Sequence, residues 1–240
     1  MTSASMDRRD APRGQRILLL VGAVGAGKGT QAAILSQRLG IVHLASGELF
    51  RRALREGTPL GERARGYMER GELVPDDITI SMFMDELAKP AAARGAILDG
   101  FPRTVTQARA LDATLAAQGE QIDRVVFIEV PAEELVARVS GRWVCPVCGT
   151  PYHVTSDPPR EAGRCDREGA ELVQRDDDRP DVVRARLAKQ VPPMLEVLDH
   201  YERSGKVTRV DGLRPIDEVT DDVLAAIGEL LVAPAGEDAD

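Results

Sequence analysis

At 240 residues, with 43% apolar and 29% charged residues, the chain can bury one large core or two small ones and has the composition of a soluble globular protein. Aromatic residues make up only 3%, so the core must be built from Ala, Val, Leu and Ile. A net charge of −8 argues against a protein that wraps duplex DNA or coats an anionic membrane, and no apolar run approaches the roughly 20 residues of a membrane helix.

Residues 1–15 are polar, with Asp7, Arg8, Arg9, Asp10 and Arg13. They lack the apolar stretch of a signal peptide, and their aspartates disfavour a transit peptide. The expectation is a disordered extension on a cytoplasmic protein. Arg16–Val21 (RILLLV) is a short apolar run ending at a glycine, the pattern of a buried parallel strand. Lys28–Leu39 then reads as a helix stopped by Gly40. Further strands are expected at Ile41–Leu44, Ala96–Leu98, Val125–Val130 and Val207–Val210. Helices are expected at Leu60–Arg70, Ile78–Leu87, Thr104–Gln118, Ala132–Val139, Val182–Arg203 and Pro215–Leu231. Strands alternating with helices imply an α/β fold, a parallel sheet covered on both faces.

Two segments break the alternation. Ser46–Val74 reads as helical throughout. Gly141–Asp178 is rich in proline and glycine, holds all three cysteines and reads as an irregular insertion. Both lie between core elements and are candidates for moving parts. Residues 233–240 form a small acidic tail. An odd, clustered set of cysteines without an export signal points to metal before disulfide.

Gly22-Ala-Val-Gly-Ala-Gly27-Lys28-Gly29-Thr30 has the spacing GxxxxGK. It follows an apolar strand and opens a helix, the context that distinguishes a phosphate loop from a simple turn. Glycine lets backbone N–H groups turn inward onto phosphate oxygens. The helix N-terminus adds positive potential, and Lys28 adds a point charge for the outer phosphates. Gly29 stands at the usual Ser/Thr position, with Thr30 after it. The loop alone implies a bound nucleoside triphosphate and phosphoryl transfer.

The loop continues as GKGTQ (Gly27–Gln31). Further on stand ASGELFR (Ala45–Arg51), LDGFPRT (Leu98–Thr104), GRWVCPVCGTPYH (Gly141–His153) and RDDD (Arg175–Asp178). Over residues 16–232 these resemble adenylate kinase, in the form with a long lid carrying a metal site. Val24 departs from the loop proline common in that family, Ser46 from its Thr and Glu48 from its Asp; Ser46 keeps the hydroxyl. The resemblance implies a P-loop core with a five-stranded parallel sheet, a monophosphate-binding segment at 45–74 and a lid at 141–178. It also implies a monomer that transfers a phosphoryl group reversibly from ATP to AMP with Mg²⁺.

The same resemblance distributes roles. Gly25, Ala26, Gly27, Lys28, Gly29 and Thr30 hold ATP, helped by Arg138, Arg142, Pro151, Tyr152 and Arg214. Ser46, Arg51, Glu72, Leu73 and Val74 border AMP, as do Gly100, Phe101, Pro102, Arg103 and Gln107. Arg142, Arg175 and Arg186 close over the transferring group, the last two also reaching AMP. Taken alone, such arginines read as solvated helix faces. Asp99 ends a parallel strand, where ligands bind in such folds, and can hold a water of the Mg²⁺; otherwise it caps the Gly100 turn. Gln107 carries an amide with both donor and acceptor, suited to the edge of adenine. Asp177 and Asp178 resemble positions that close the lid. His43 and Trp143 read as structural.

Cys145-x-x-Cys148 and Cys165 supply three thiolates, and a tetrahedral zinc site needs a fourth ligand. Relatives with this lid carry Cys or Asp three residues after the third cysteine, where this chain has Glu168, with Asp166 nearby. The expectation is a structural Zn²⁺ on Cys145, Cys148, Cys165 and Glu168, stapling an insertion with little core of its own. Two other readings stand beside the main one: a kinase for a different pair such as GTP with AMP or for a pyrimidine monophosphate, and a zinc-ribbon nucleic-acid binder. The acidic balance and the lack of aromatics interleaved with basic residues oppose the last.

Overall fold

The computed structural model describes residues 16–69, 72–175 and 178–228. The expectations for residues 1–15, 229–231 and 233–240 and for Asp177 lie outside these. In chain order the elements are β1 (Arg16–Val21), α1 (Lys28–Leu39), β2 (Val42–Ala45), α2 (Ser46–Arg55), α3 (Pro59–Glu69) and α4 (Asp76–Leu87). Then come β3 (Gly95–Asp99), α5 (Val105–Ala117), β4 (Ile122–Glu129), α6 (Ala132–Ser140), β5 (Arg142–Val144) and β6 (Pro151–His153). The last described elements are α7 (Pro180–Glu202), β7 (Val207–Asp211) and α8 (Ile216–Ile227).

Five parallel strands form one sheet in the order β2-β3-β1-β4-β7. Residues of β1 alternate between two cores. Ile17, Leu19 and Val21 face a cluster with α2, α4, α5 and the C-terminal half of α7, while Leu18 and Leu20 face one with α1 and α8. Strands buried on both faces explain why β1 is apolar at every position after Arg16. The register then sets the site. Leu20 and Ala45 both pair with Asp99, so the loop after β1, the end of β3 and Ser46 at the start of α2 meet at one sheet edge. There the chain leaves β1 and its neighbour β3 towards opposite faces of the sheet, into α1 and α5, the switch point at which such folds bind ligands.

Two expectations are corrected, and a third, the helix expected over Val182–Arg203, holds. The segment 46–74 is two helices, broken at Glu56–Thr58 where Gly57 takes φ +63°, and it is not helical at 72–74. The lid is not merely irregular: β5 and β6 form an antiparallel ribbon, extended by a bridge from Val144 to Val173. α7 runs unbroken through Pro192 and Pro193. Its first half packs Val183 and Leu187 with Leu135, Val136 and Val139 of α6, and its second half packs Val197, Leu198 and Tyr201 into the main core.

Candidate active site

A cleft of about 1340 Å³ opens at this edge. Eight Lys and Arg residues line it against four Asp and Glu, so a chain of net charge −8 carries a locally cationic cavity that suits a polyanion. The phosphate loop forms its floor. Gly27, in a left-handed conformation at φ +92°, caps α1, and the first turn of the helix points at the cleft. Gly25, at φ +86°, lies against α6: a Cβ there would come within 2.7 Å of Val139 Cγ2, so only glycine lets the loop pack this closely.

Lys28 donates from Nζ to the Ala23 carbonyl at 2.9 Å. Burial lowers its pKa; Asp99 opposes this, and the charges of Arg103, Arg142 and Arg186 push it down further. Among the described residues four cations thus act on one region, with Asp99 beside Lys28 and Asp178 on Arg142, an arrangement that phosphate oxygens would favour. Burial raises the pKa of Asp99, but a hydrogen bond from His43 and the charges of Lys28, His43 and Arg103 outweigh it and hold the carboxyl below its usual range. His43 Nε2 lies 3.3 Å from Asp99 Oδ2. Arg103 donates from Nε to the Gly100 carbonyl at 2.7 Å and from Nη2 to Ser46 Oγ at 3.0 Å. A Cβ on Gly100, whose φ is +73°, would sit 2.6 Å from that Ser46 oxygen. On the opposite wall Arg142 grips Asp178 with two N–H groups, one at 2.9 Å, and Asp178 is fully buried.

A sequence profile of the adenylate kinase family matches residues 20–206. The chain belongs to the adenylate kinase family. Among similar proteins named adenylate kinase, that of Exiguobacterium sibiricum is 49% identical over 211 residues, covering 88% of this chain and 98% of its own. That of Oceanobacillus iheyensis is 46% identical over 206 residues (86% and 96%). That of Staphylococcus epidermidis is 42% identical over 213 residues (89% and 99%).

On this adenylate kinase scaffold the residues expected to hold ATP converge. Gly25–Thr30, Arg138, Arg142, Pro151, Tyr152 and Arg214 all line the cleft. Arg138 pairs with Glu134 at 2.8 Å, and Arg214 with Glu218 at 2.7 Å and with Asp222. On the acceptor side Ser46, Arg51, Leu73, Gly100, Pro102, Arg103, Arg175 and Arg186 line it. Arg51 pairs with Glu48 at 3.2 Å.

Four expected acceptor residues are not on the cleft wall. Glu72 is exposed, and Val74 is buried in the main core. Phe101 is 2% exposed and stacks on Phe83 at 4.2 Å, so its apolar ring anchors the loop from behind. Gln107 is 2% exposed and its amide is engaged at both ends, by Asp76 and by the Arg103 backbone. Sequence reasoning missed Asp76 altogether and read His43 as structural. The signal for His43 was its place at the C-terminal end of a parallel strand, two residues before Ala45. Asp76 offered only an acid in the first turn of a helix.

In the lid Cys145, Cys148 and Cys165 bring their sulfurs within 4.8 Å of one another. Glu168 does not join them: it is exposed and its carboxylate stands outside the group. Its backbone position nonetheless mirrors that of Cys148. Gly149 N–H donates to Cys145 O at 2.9 Å, as Gly169 N–H does to Cys165 O at 2.8 Å, so Cys145–Gly149 and Cys165–Gly169 form two like turns. The side chain of Asp166 is taken by the Arg160 N–H at 2.9 Å. Hydrogen bonds from the Tyr152 hydroxyl and from the backbone N–H groups of Glu168 and Arg167 lower the pKa of the Cys165 thiol, favouring the thiolate, the form that binds metal. Three converging sulfurs fit a metal ion as three of its ligands.

Proposed function

We infer that this member of the adenylate kinase family transfers the γ-phosphoryl group of ATP reversibly to AMP, giving two ADP and so balancing adenine nucleotides. The observation that carries the reading is the convergence of Lys28, Arg103, Arg142 and Arg186 between the phosphate loop and the Ser46–Arg51 segment. One loop would cradle a triphosphate, and a second set of cations lines the same cleft on the acceptor side.

Transfer between two phosphates sets an electrostatic problem, since negative oxygens must approach in line with water kept out. The acceptor phosphate has a second pKa near ~6 and is largely ionised at neutral pH. No protein general base is required, so the cations carry the work. Lys28 and the loop N–H groups hold the ATP phosphates, while Arg138, Pro151, Tyr152 and Arg214 flank its nucleoside. Ser46, Arg51 and Arg103 grip AMP at the sheet edge, with Leu73, Gly100 and Pro102 bordering its nucleoside and Gln107 behind them. Arg142, Arg175 and Arg186 stabilise charge on the group in flight.

Mg²⁺ travelling with ATP supplies charge neutralisation across the outer phosphates. Asp99, ionised and beside the loop, is the residue that would hold its water shell. In the lid Cys145, Cys148 and Cys165 would hold a structural Zn²⁺ as three of its ligands, with Glu168, at the matched position of the second turn, the candidate for the fourth. The segment 45–74 and the lid 141–178 close over the two nucleotides and exclude water. The protein acts as a cytoplasmic monomer without nucleic acid or membrane partners; among the described residues no helix is long and apolar enough to cross a membrane. The test is a substrate panel with ATP or GTP as donor and AMP, GMP, CMP and UMP as acceptors. The reading requires ATP with AMP to be the most efficient pair. Faster turnover of a pyrimidine monophosphate would overturn it.

A further inference from the structure

We infer that Asp76 is a specificity-determining positioning residue: it fixes the polarity of the Gln107 amide and thereby the preference of the acceptor site for a 6-amino over a 6-oxo purine. The inference rests on the reading of this cleft wall as an AMP site.

Gln107 lies on α5 and Asp76 opens α4. Gln107 Nε2 donates to Asp76 Oδ1 at 2.8 Å, and Gln107 Oε1 accepts from the Arg103 backbone N–H at 2.7 Å. Both partners have fixed roles, for a backbone N–H can only donate and an ionised carboxylate can only accept. The amide therefore has one allowed orientation. Flipped, it would set its NH₂ against an N–H and its carbonyl against a carboxylate. Asp76 is itself held from a second side: Thr104 Oγ1 donates to its Oδ2 at 3.1 Å while accepting the Gln107 backbone N–H at 3.1 Å. The ring of bonds joins the N-termini of α4 and α5. Gln107 is 2% exposed, so water does not make good a bond lost here.

One partner at each end leaves Gln107 a spare Oε1 lone pair and a spare Nε2 hydrogen. That pair matches a base edge with a donor beside an acceptor, the 6-amino group and N1 of adenine. Hypoxanthine and guanine reverse the order, with an acceptor at O6 and a donor at N1. To pair with them the amide must flip, against both Asp76 and Arg103. Gln107 does not line the open cleft, but Leu73, three residues before Asp76, and Pro102, next to Arg103, do. The ring of bonds therefore stands directly behind the acceptor wall, and a base must seat between Leu73 and Pro102 to meet the spare Gln107 atoms.

The test measures kcat and KM for AMP and for IMP, with ATP as donor, in the full-length protein and its variants. Asp76→Ala is expected to lower the AMP-over-IMP ratio of kcat/KM by roughly tenfold, the scale of one charge-assisted hydrogen bond. The change should come chiefly through a higher KM for AMP, with the KM for ATP unchanged. Asp76→Asn keeps an acceptor oxygen and should restore most of the ratio. Asp76→Ser, too short to reach the amide but still polar at the helix start, should behave as the alanine variant and replaces it if that variant does not fold. Equal losses with AMP and IMP, or a lowered melting temperature with an unchanged ratio, would overturn the inference, since a purely structural anchor does not choose between bases. Absence of AMP turnover in the wild type would instead strike the functional reading on which this rests.

Discussion

Lys28 sits where burial and three arginines all disfavour its charge, so its ammonium is held ready for phosphate at some cost to the fold. Lys28→Met is therefore expected to lower kcat/KM by roughly a hundredfold or more while leaving the melting temperature unchanged or slightly raised. A steady-state assay beside a thermal melt checks both. Arg142 should behave differently. Its partner Asp178 is fully buried, so Arg142→Ala leaves an unpaired buried carboxylate and should cost about 3 kcal/mol of stability as well as activity, read by denaturant unfolding. Asp99 gives a pH signature. Its folded-state pKa is depressed, so its contribution is fully present above the unfolded value of about 3.9 and is lost only as pH falls through the lower folded value. The stability gap between the wild type and Asp99→Asn should be present at about pH 5 and close below about 4; a gap that widens between pH 6 and 8 would contradict this. The motif residues at this site were legible because GKGT and DGFPR are local in sequence. Asp76 and His43 were not, because their importance lies in partners 31 and 56 residues away.

At the scale of elements, legibility followed length and punctuation. β1 and α1 were read with their observed bounds, since Gly22 and Gly40 mark their ends. β5 and β6, of three residues each, are too short for an alternation to show. α7 defies the local rule that proline ends a helix, because each half is held by a different core. Pro192 and Pro193 leave the Ala188 and Lys189 carbonyls without their helical donors. Replacing both prolines by alanine should stabilise the protein by about 1–2 kcal/mol, seen in chemical denaturation. In the lid the small cluster of Cys145, Cys165, Tyr152 and Leu172 is too little core to hold an insertion unaided. Purified protein should carry about one equivalent of zinc, and its removal by chelator, or Cys165→Ser, should speed hydrogen exchange across 142–173 while sparing the phosphate loop. Metal content far below one equivalent would contradict the staple.

For the molecule as a whole, the alternation of strands and helices was enough to give the α/β class, because buried parallel strands need crossover helices on both faces. The strand order and the two-sided cationic cleft needed coordinates, since composition reports only an acidic average. On this scaffold the acceptor facing the phosphate loop is a second nucleotide and not water. The most direct test follows nucleotides by chromatography after mixing the enzyme with ATP, AMP and Mg²⁺, and again with AMP omitted. Two ADP should form for each AMP consumed, with no free phosphate and negligible ATP loss without AMP. ATP hydrolysed to ADP and phosphate at a similar rate whether or not AMP is present would contradict it.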